Sequence, residues 1–209
     1  MYRFAKLFVF VAVFSLLSGC GSKVPRAGNP AYTKAGIKLV AVLPVKNTTA
    51  DQKAAHILRQ KVLDELYFKG YPKVPLNAID EKLSLILKGN PETSLGDIPP
   101  QTVKELLGVD AVIYCTLTES TTSFGFFSAP TRVTASFEMR NARTGETLWR
   151  AQRRTVERSF GYSRNDLELK AIQIYESVLQ EVVDKGLATL PDGPELPGER
   201  IPSSGTDDR

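Results

Sequence analysis

Histidine and tryptophan each occur once in these 209 residues, and methionine and cysteine only twice each. With His56 as the lone imidazole, a zinc site or a relay that needs a second histidine cannot be assembled. No Gly-x-Ser-x-Gly turn presents a serine nucleophile. On a helical wheel His56 falls beside Lys53, Gln60 and Tyr67, away from the apolar stripe, so it reads as a solvated surface side chain. Excess charge is also missing: 27 Lys+Arg stand against 23 Asp+Glu. A balance this even leaves no electrostatic footprint for nucleic acid. Nor is there an apolar run of membrane-spanning length. The longest, Leu7 to Leu17, would cover only ~16 Å as a helix, against a bilayer core of ~30 Å.

What that short apolar run does have is context. Arg3 and Lys6 precede it and Leu17-Ser18-Gly19-Cys20 closes it. Positive charge, a short apolar core and small residues predict a secretory signal over residues 1–19. Leu-Ser-Gly-Cys resembles the bacterial lipobox at all four positions. That resemblance implies cleavage before Cys20, a palmitate-type diacylglycerol on its sulfur and acylation of its amine. Several acyl chains exceed the two signals needed for stable anchoring. The expectation is a lipid-anchored cell-envelope protein. Gly21 in place of Asp after the cysteine favours the outer membrane by analogy with enteric sorting. Once Cys20 is acylated, Cys115 has no partner for an internal disulfide. Flanked on its own strand face by Ile113 and Leu117, it reads as a small buried hydrophobe.

Residues 20–36 are small, polar and Pro-containing, a tether reaching roughly 50 Å if fully extended. Residues 37–190 carry the periodic patterns of one domain. Ile37 to Val45 reads as a strand buried on both faces, suited to a central position. Asp51 to Lys69 reads as a helix with Ala54, Leu58, Val62 and Leu66 as its stripe, Thr49 as cap and Gly70 as stop. A short strand at Lys73 to Leu76 precedes a helix capped by Asn77 and ended by Gly89-Asn90-Pro91. After a loop, Pro99-Pro100 opens a helix to Leu107. Val109 to Thr118, Arg132 to Arg140 and Thr147 to Arg158 alternate as strands, the last two joined by a turn at Arg143-Thr144-Gly145. Asn165 caps a final helix with Glu168 as capping-box partner and Gly186 as its end. Residues 191–209 are too poor in apolar side chains to fold. The order predicts a single three-layer-like α+β domain: a mixed sheet with a βα start, an antiparallel meander and a C-terminal helix packed on it. The Arg-rich hairpin fits a sheet edge with one wet face.

Val42-Leu43-Pro44 with Asn47, Gly108-Val109-Asp110-Ala111-Val112, and Arg143-Thr144-Gly145-Glu146-Thr147-Leu148-Trp149 together resemble a bacterial family. It is that of the neisserial-type surface lipoproteins, catalogued as domain of unknown function 799. The resemblance covers about residues 37–190. It implies a fold akin to the amino-terminal domain of TolB and to the curli-type channel lipoprotein. It also implies a periplasm-facing, non-enzymatic outer-membrane lipoprotein working beside a curli-channel-like secretion partner. No catalytic residue, metal or cofactor comes with it.

Two surfaces are candidates for contact. Arg132, Arg140, Arg143, Arg150, Arg153, Arg154 and Arg158 all lie on one hairpin, and guanidinium forks hold carboxylate and phosphate bidentately. Arg140, Arg150, Arg154 and Arg158 are the candidate anion surface; charge that blocks aggregation at a sheet edge is the competing explanation. Phe124, Phe126 and Phe127 sit in a Gly-containing loop and are candidate interface anchors. The leading expectation is a structural or assembly subunit that binds other envelope proteins. The alternative is a lipoprotein binding peptidoglycan or another anionic glycan. An envelope hydrolase ranks last, and self-association into a homo-oligomer is left open.

Overall fold

A computed structural model describes residues 36–89 and 95–194. The signal at 1–19, Cys20 with its lipobox, almost all of the tether, Asn90-Pro91 and the tail from 195 lie outside the described residues. The elements are β1 (Val40–Val42), β2 (Lys46–Asn47), α1 (Gln52–Phe68), α2 (Leu76–Gly89), α3 (Pro100–Leu107), β3 (Ala111–Thr122), β4 (Ser128–Asn141), β5 (Thr147–Phe160) and α4 (Arg164–Leu187). They form one α+β domain around a mixed sheet of order β1-β3-β4-β5, with β2 also paired to β3. β1 and β2 run parallel to β3; the β3–β4 and β4–β5 pairs are antiparallel.

Strand alternation sets the layers. Ala111, Ile113, Cys115 and Leu117 of β3 and Val133, Ala135, Phe137 and Met139 of β4 all point to one face and are buried there. α1 and α4 cover that face with Leu58, Val62, Leu66, Val178, Val182 and Leu187. Burying an aliphatic side chain of this size contributes roughly 1.5–3 kcal/mol, so this layer carries most of the stability. The opposite face is covered only near the start of the sheet. There Ala41, Leu43, Val109 and Val112 meet Ile79 and Leu83 of α2, Ile98, and Val103 of α3. The rest of that face, on β3, β4 and β5, is open to solvent.

Several local expectations need correction. The apolar stretch from Ile37 to Val45 is not one central strand. It forms β1 at the edge of the sheet, and Pro44 has no N–H to continue the ladder before β2. Its two-sided burial comes from helices on both faces, not from strands on both sides. The strand expected at Lys73 to Leu76 does not form, and Leu76 opens α2. The α1 cap is Asp51, whose carboxylate accepts from Ala54 N at 2.9 Å, while the Thr49 hydroxyl accepts from Asp51 N. The α4 cap is Ser163, two residues before Asn165, and its hydroxyl accepts from Asp166 N at 3.2 Å. Glu168 pairs with Arg164 instead of closing a capping box. Gly186 lies inside α4, with the Phe137 ring filling the space a side chain would need.

Two ties lock distant parts together. Arg59 of α1, only 7% exposed, donates to the Val42 carbonyl oxygen and to Asp80 of α2, joining both helices to β1. After α4 the chain stays on the fold past Leu190. The Tyr71 hydroxyl donates to the Pro191 carbonyl at 2.9 Å, and Gly193 N donates to the Lys69 carbonyl.

Candidate functional site

The open sheet face takes its chemistry from alternation and register. On β4 the outward residues are Arg132, Thr134, Ser136, Glu138 and Arg140; cross-strand partners on β5 include Arg150 opposite Glu138, Arg154 opposite Thr134 and Arg158 opposite Pro130. All four arginines of the expected anion surface therefore share one face. Two glutamates on the same face engage three of them. Glu138 accepts from Arg140 at 2.9 Å and from Arg150 at 3.1 Å, and Glu119 of β3 accepts from Arg154 at 3.0 Å. Arg140 also lies 5.1 Å over the ring of Tyr114.

Burial alone would raise the Glu138 acidity constant, but bonds from Arg140, Thr147 and Arg150 outweigh it and hold the carboxyl at about 2. Glu119 is likewise held below its ordinary range, chiefly by the Thr134 hydroxyl and Arg154. Arg158 is exposed and has no partner among the described residues. Arg153 points to the other face, where its Nε donates to the Lys185 carbonyl of α4 at 3.1 Å.

At one end of the sheet the β3–β4 turn and the β5–α4 link meet. Gly125 N donates to the Ser128 carbonyl at 2.9 Å, and Gly161 N donates to the Phe127 carbonyl at 3.1 Å. This gathers Phe126 (94% exposed), Phe127 (68%), Phe160 (64%) and Tyr162 (96%) at one pole, with Leu169 and Ile172 of α4 exposed nearby. Phe124 is half-buried under the Arg164 guanidinium, 4.1 Å from the ring centroid, and Arg164 is held by Glu168 at 2.6 Å. Four exposed aromatic rings at one pole are costly to leave in water and are characteristic of a contact site. Sequence reading found Phe124, Phe126 and Phe127 but missed Phe160 and Tyr162. The signal was present: Phe160 shares the outward parity of Arg158, and Tyr162 directly precedes the cap of α4.

Beside this pole a cleft of ≈ 620 Å³ opens between the start of α1 and the first half of α4, lined by Asp51, Lys53, Phe124, Ile172, Tyr175 and Glu176. Its polar floor is satisfied internally. The Asp51 carboxylate accepts from Ala54 N, from the Ser120 hydroxyl at 2.9 Å and from the Tyr175 hydroxyl.

The groups that would carry chemistry are scattered. His56 is exposed on α1, and Cys115 is buried in the core with its thiol pushed up to about 12 by burial. Asp64 pairs with Lys73, and Asp80 pairs with Arg59. Among the described residues no group of three or more His, Cys, Asp or Glu side chains is placed to hold a metal ion, and no helix is long and apolar enough to cross a membrane.

The model of the family described as "Putative lipoprotein GNA1162-like" matches residues 29–190. A curated protein of Neisseria meningitidis serogroup B, "Putative lipoprotein NMB1124/NMB1162", is 24% identical over 184 residues, covering 86% of this chain and 84% of that one. The solved lipoprotein GNA1162 of Neisseria meningitidis is similar at 23% identity with a TM-score of 0.49, over 68% of this chain and 97% of that one. The dodecamer of a PelC variant from Paraburkholderia phytofirmans is similar at 18% identity with a TM-score of 0.46, over 75% of this chain and 90% of that one.

Proposed function

The chain belongs to the GNA1162-like lipoprotein family, and from that premise we propose that it is a non-catalytic adaptor of the cell envelope. In this reading acylated Cys20 anchors it in the outer membrane, the domain faces the periplasm, and the aromatic pole docks another envelope protein. The exposed cluster of Phe126, Phe127, Phe160 and Tyr162 carries the proposal.

The geometry of the anchor supports it. The chain enters the domain at the Asp110 end of β3, where Lys38 N and Leu39 N donate to the Asp110 carboxylate. The aromatic pole lies at the Thr122 end of the same strand. The 12 residues of β3 separate the two ends by roughly 36–40 Å at ~3.3 Å per residue. A lipid at Cys20 leaves the pole at the far side of the domain, free to meet a neighbour. Tethering then works by effective concentration: confinement to one membrane favours weak contacts with a partner held in the same layer.

A photo-crosslinking residue replacing Phe126 or Tyr162 in intact cells should capture a discrete envelope protein, and one replacing the exposed turn residue Arg143 should not. The capture should fade in the Cys20→Ala form. Equal capture from all three positions, or none, sinks the adaptor reading.

A second reading, recognition of peptidoglycan or another anionic glycan, draws on the five arginines that face outward against two glutamates. Because Glu138 and Glu119 already engage Arg140, Arg150 and Arg154, it ranks below the adaptor. Retention on sacculi that is unchanged by Arg150→Ala with Arg154→Ala discards it.

A further inference from the structure

β5 ends the sheet, and no strand among the described residues pairs with its outer edge. α4 packs on the inner face of β4 and β5, as the Arg153 bond to the Lys185 carbonyl shows, and does not replace a strand there. A free edge over 14 residues is a ready template for an added strand, because its outward N–H and C=O groups have no ladder partner. On the inner side of β5 the hydroxyls of Thr155 and Ser159 are buried and have no hydrogen-bond partner among the described residues.

Charge decides which strand fits. β5 carries Arg150, Arg153, Arg154 and Arg158 against one acid, Glu157. A second copy of β5 laid against the edge would crowd arginine onto arginine, and like charges across a strand pair are destabilising. The edge therefore rejects itself and any basic segment. A strand with acidic side chains on both faces meets Arg158, which is unpaired, on one side of the sheet and Arg153 on the other.

We propose that the outer edge of β5 binds an extended acidic segment of a partner protein as a further strand of the sheet. Backbone pairing supplies the register and the arginines supply the selectivity. This surface is separate from the aromatic pole and does not depend on it.

The test uses the full-length protein in detergent with two synthetic probes of about twelve residues, one alternating Val and Glu and one alternating Val and Lys. The Val-Glu peptide should bind, weaken with added salt, and slow amide hydrogen exchange along β5. The Arg153→Glu/Arg158→Glu variant should bind it at least roughly tenfold more weakly, and Arg153→Lys/Arg158→Lys should retain most of the affinity, which controls for misfolding. Phe126→Ala with Tyr162→Ala should leave it unchanged, so failure here and failure of the adaptor reading are distinguishable. Absence of Val-Glu binding, equal binding of Val-Lys, protection confined to the pole or the open face, or indifference to charge reversal would each overturn the proposal.

Discussion

The hydroxyl of Tyr175, midway along α4, donates to the carboxylate of Asp51, the residue that caps α1, across 124 positions of sequence. One side chain thus closes the end of one helix and fixes its neighbour beside it. Ser120 of β3 donates to the same oxygen, so sheet and both helices converge on Asp51.

Removing the donor in Tyr175→Phe should cost about 1 kcal/mol, and Asp51→Ala about 2–3 kcal/mol because the cap is lost and buried donors are stranded. The pH dependence has a definite sign. Burial alone would raise the Asp51 acidity constant, but bonds from Tyr175, Ala54 and Ser120 outweigh it and hold it below 3.8. A lowered folded value means the contribution is complete above the unfolded value and fades as pH falls through the folded one. Urea unfolding should show the gap between the parent and Asp51→Asn narrowing from pH 7 to pH 3.

Glu138 stabilises the open face in the same pH direction. Its carboxyl is held at about 2 against an ordinary 4.5, so its contribution is full above pH 4.5 and disappears toward pH 2. After screening by water at the exposed Arg150, this contribution is on the order of 2 kcal/mol. Glu138→Gln should lower the unfolding midpoint at pH 7 and have little effect near pH 2. Thermal melts at both values decide it.

Gly186 is needed for close approach. A Cβ there would lie within 3 Å of Phe137 ring atoms at the centre of the α4–sheet contact. Gly186→Ala should destabilise by roughly 1–3 kcal/mol despite alanine's better helix propensity. Adding Phe137→Leu should recover part of the loss, a coupling that a double-mutant cycle in denaturant measures.

Cys115 should be inert while the fold holds. Burial pushes its thiol up to about 12 and leaves the side chain 2% exposed. In a Cys20→Ser form, iodoacetamide at pH 8 should label it only after denaturant is added. Rapid labelling of the native protein would contradict the placement of β3.

The parts of the fold legible in the sequence are those set by local periodicity. The stripes of α1 and α4, the inward faces of β3 and β4, and the left-handed Gly145 of the hairpin turn (φ 75°) are where the pattern puts them. The misread features depend on distant chain. β1 reads as central because apolar residues on both sides of a strand record two covered faces and say nothing of strand order. Asn165 and Thr49 are competent caps by residue type, yet Ser163 and Asp51 take the role because packing of α4 and α1 fixes where each first turn begins.

The candidate surfaces divide in the same way. The Phe124–Phe127 loop and the arginine hairpin were visible in composition. The addition of Phe160 and Tyr162 to the aromatic pole was not, since it requires the β4–β5 register to bring two chain segments to one end of the sheet. Nor was the pairing of Arg154 with Glu119, which crosses from β5 over β4 to β3.

For this protein the sequence alone determined the alternation that splits each strand into a wet and a dry side, the amphipathic helices, and the family to which the chain belongs. Tertiary structure decided which rings gather at one pole, which arginines already hold an acid, and which strand edge stays free. The reason is range: side-chain periodicity is written within a few residues of backbone, whereas the order of strands and the company each side chain keeps are fixed only when distant segments pair.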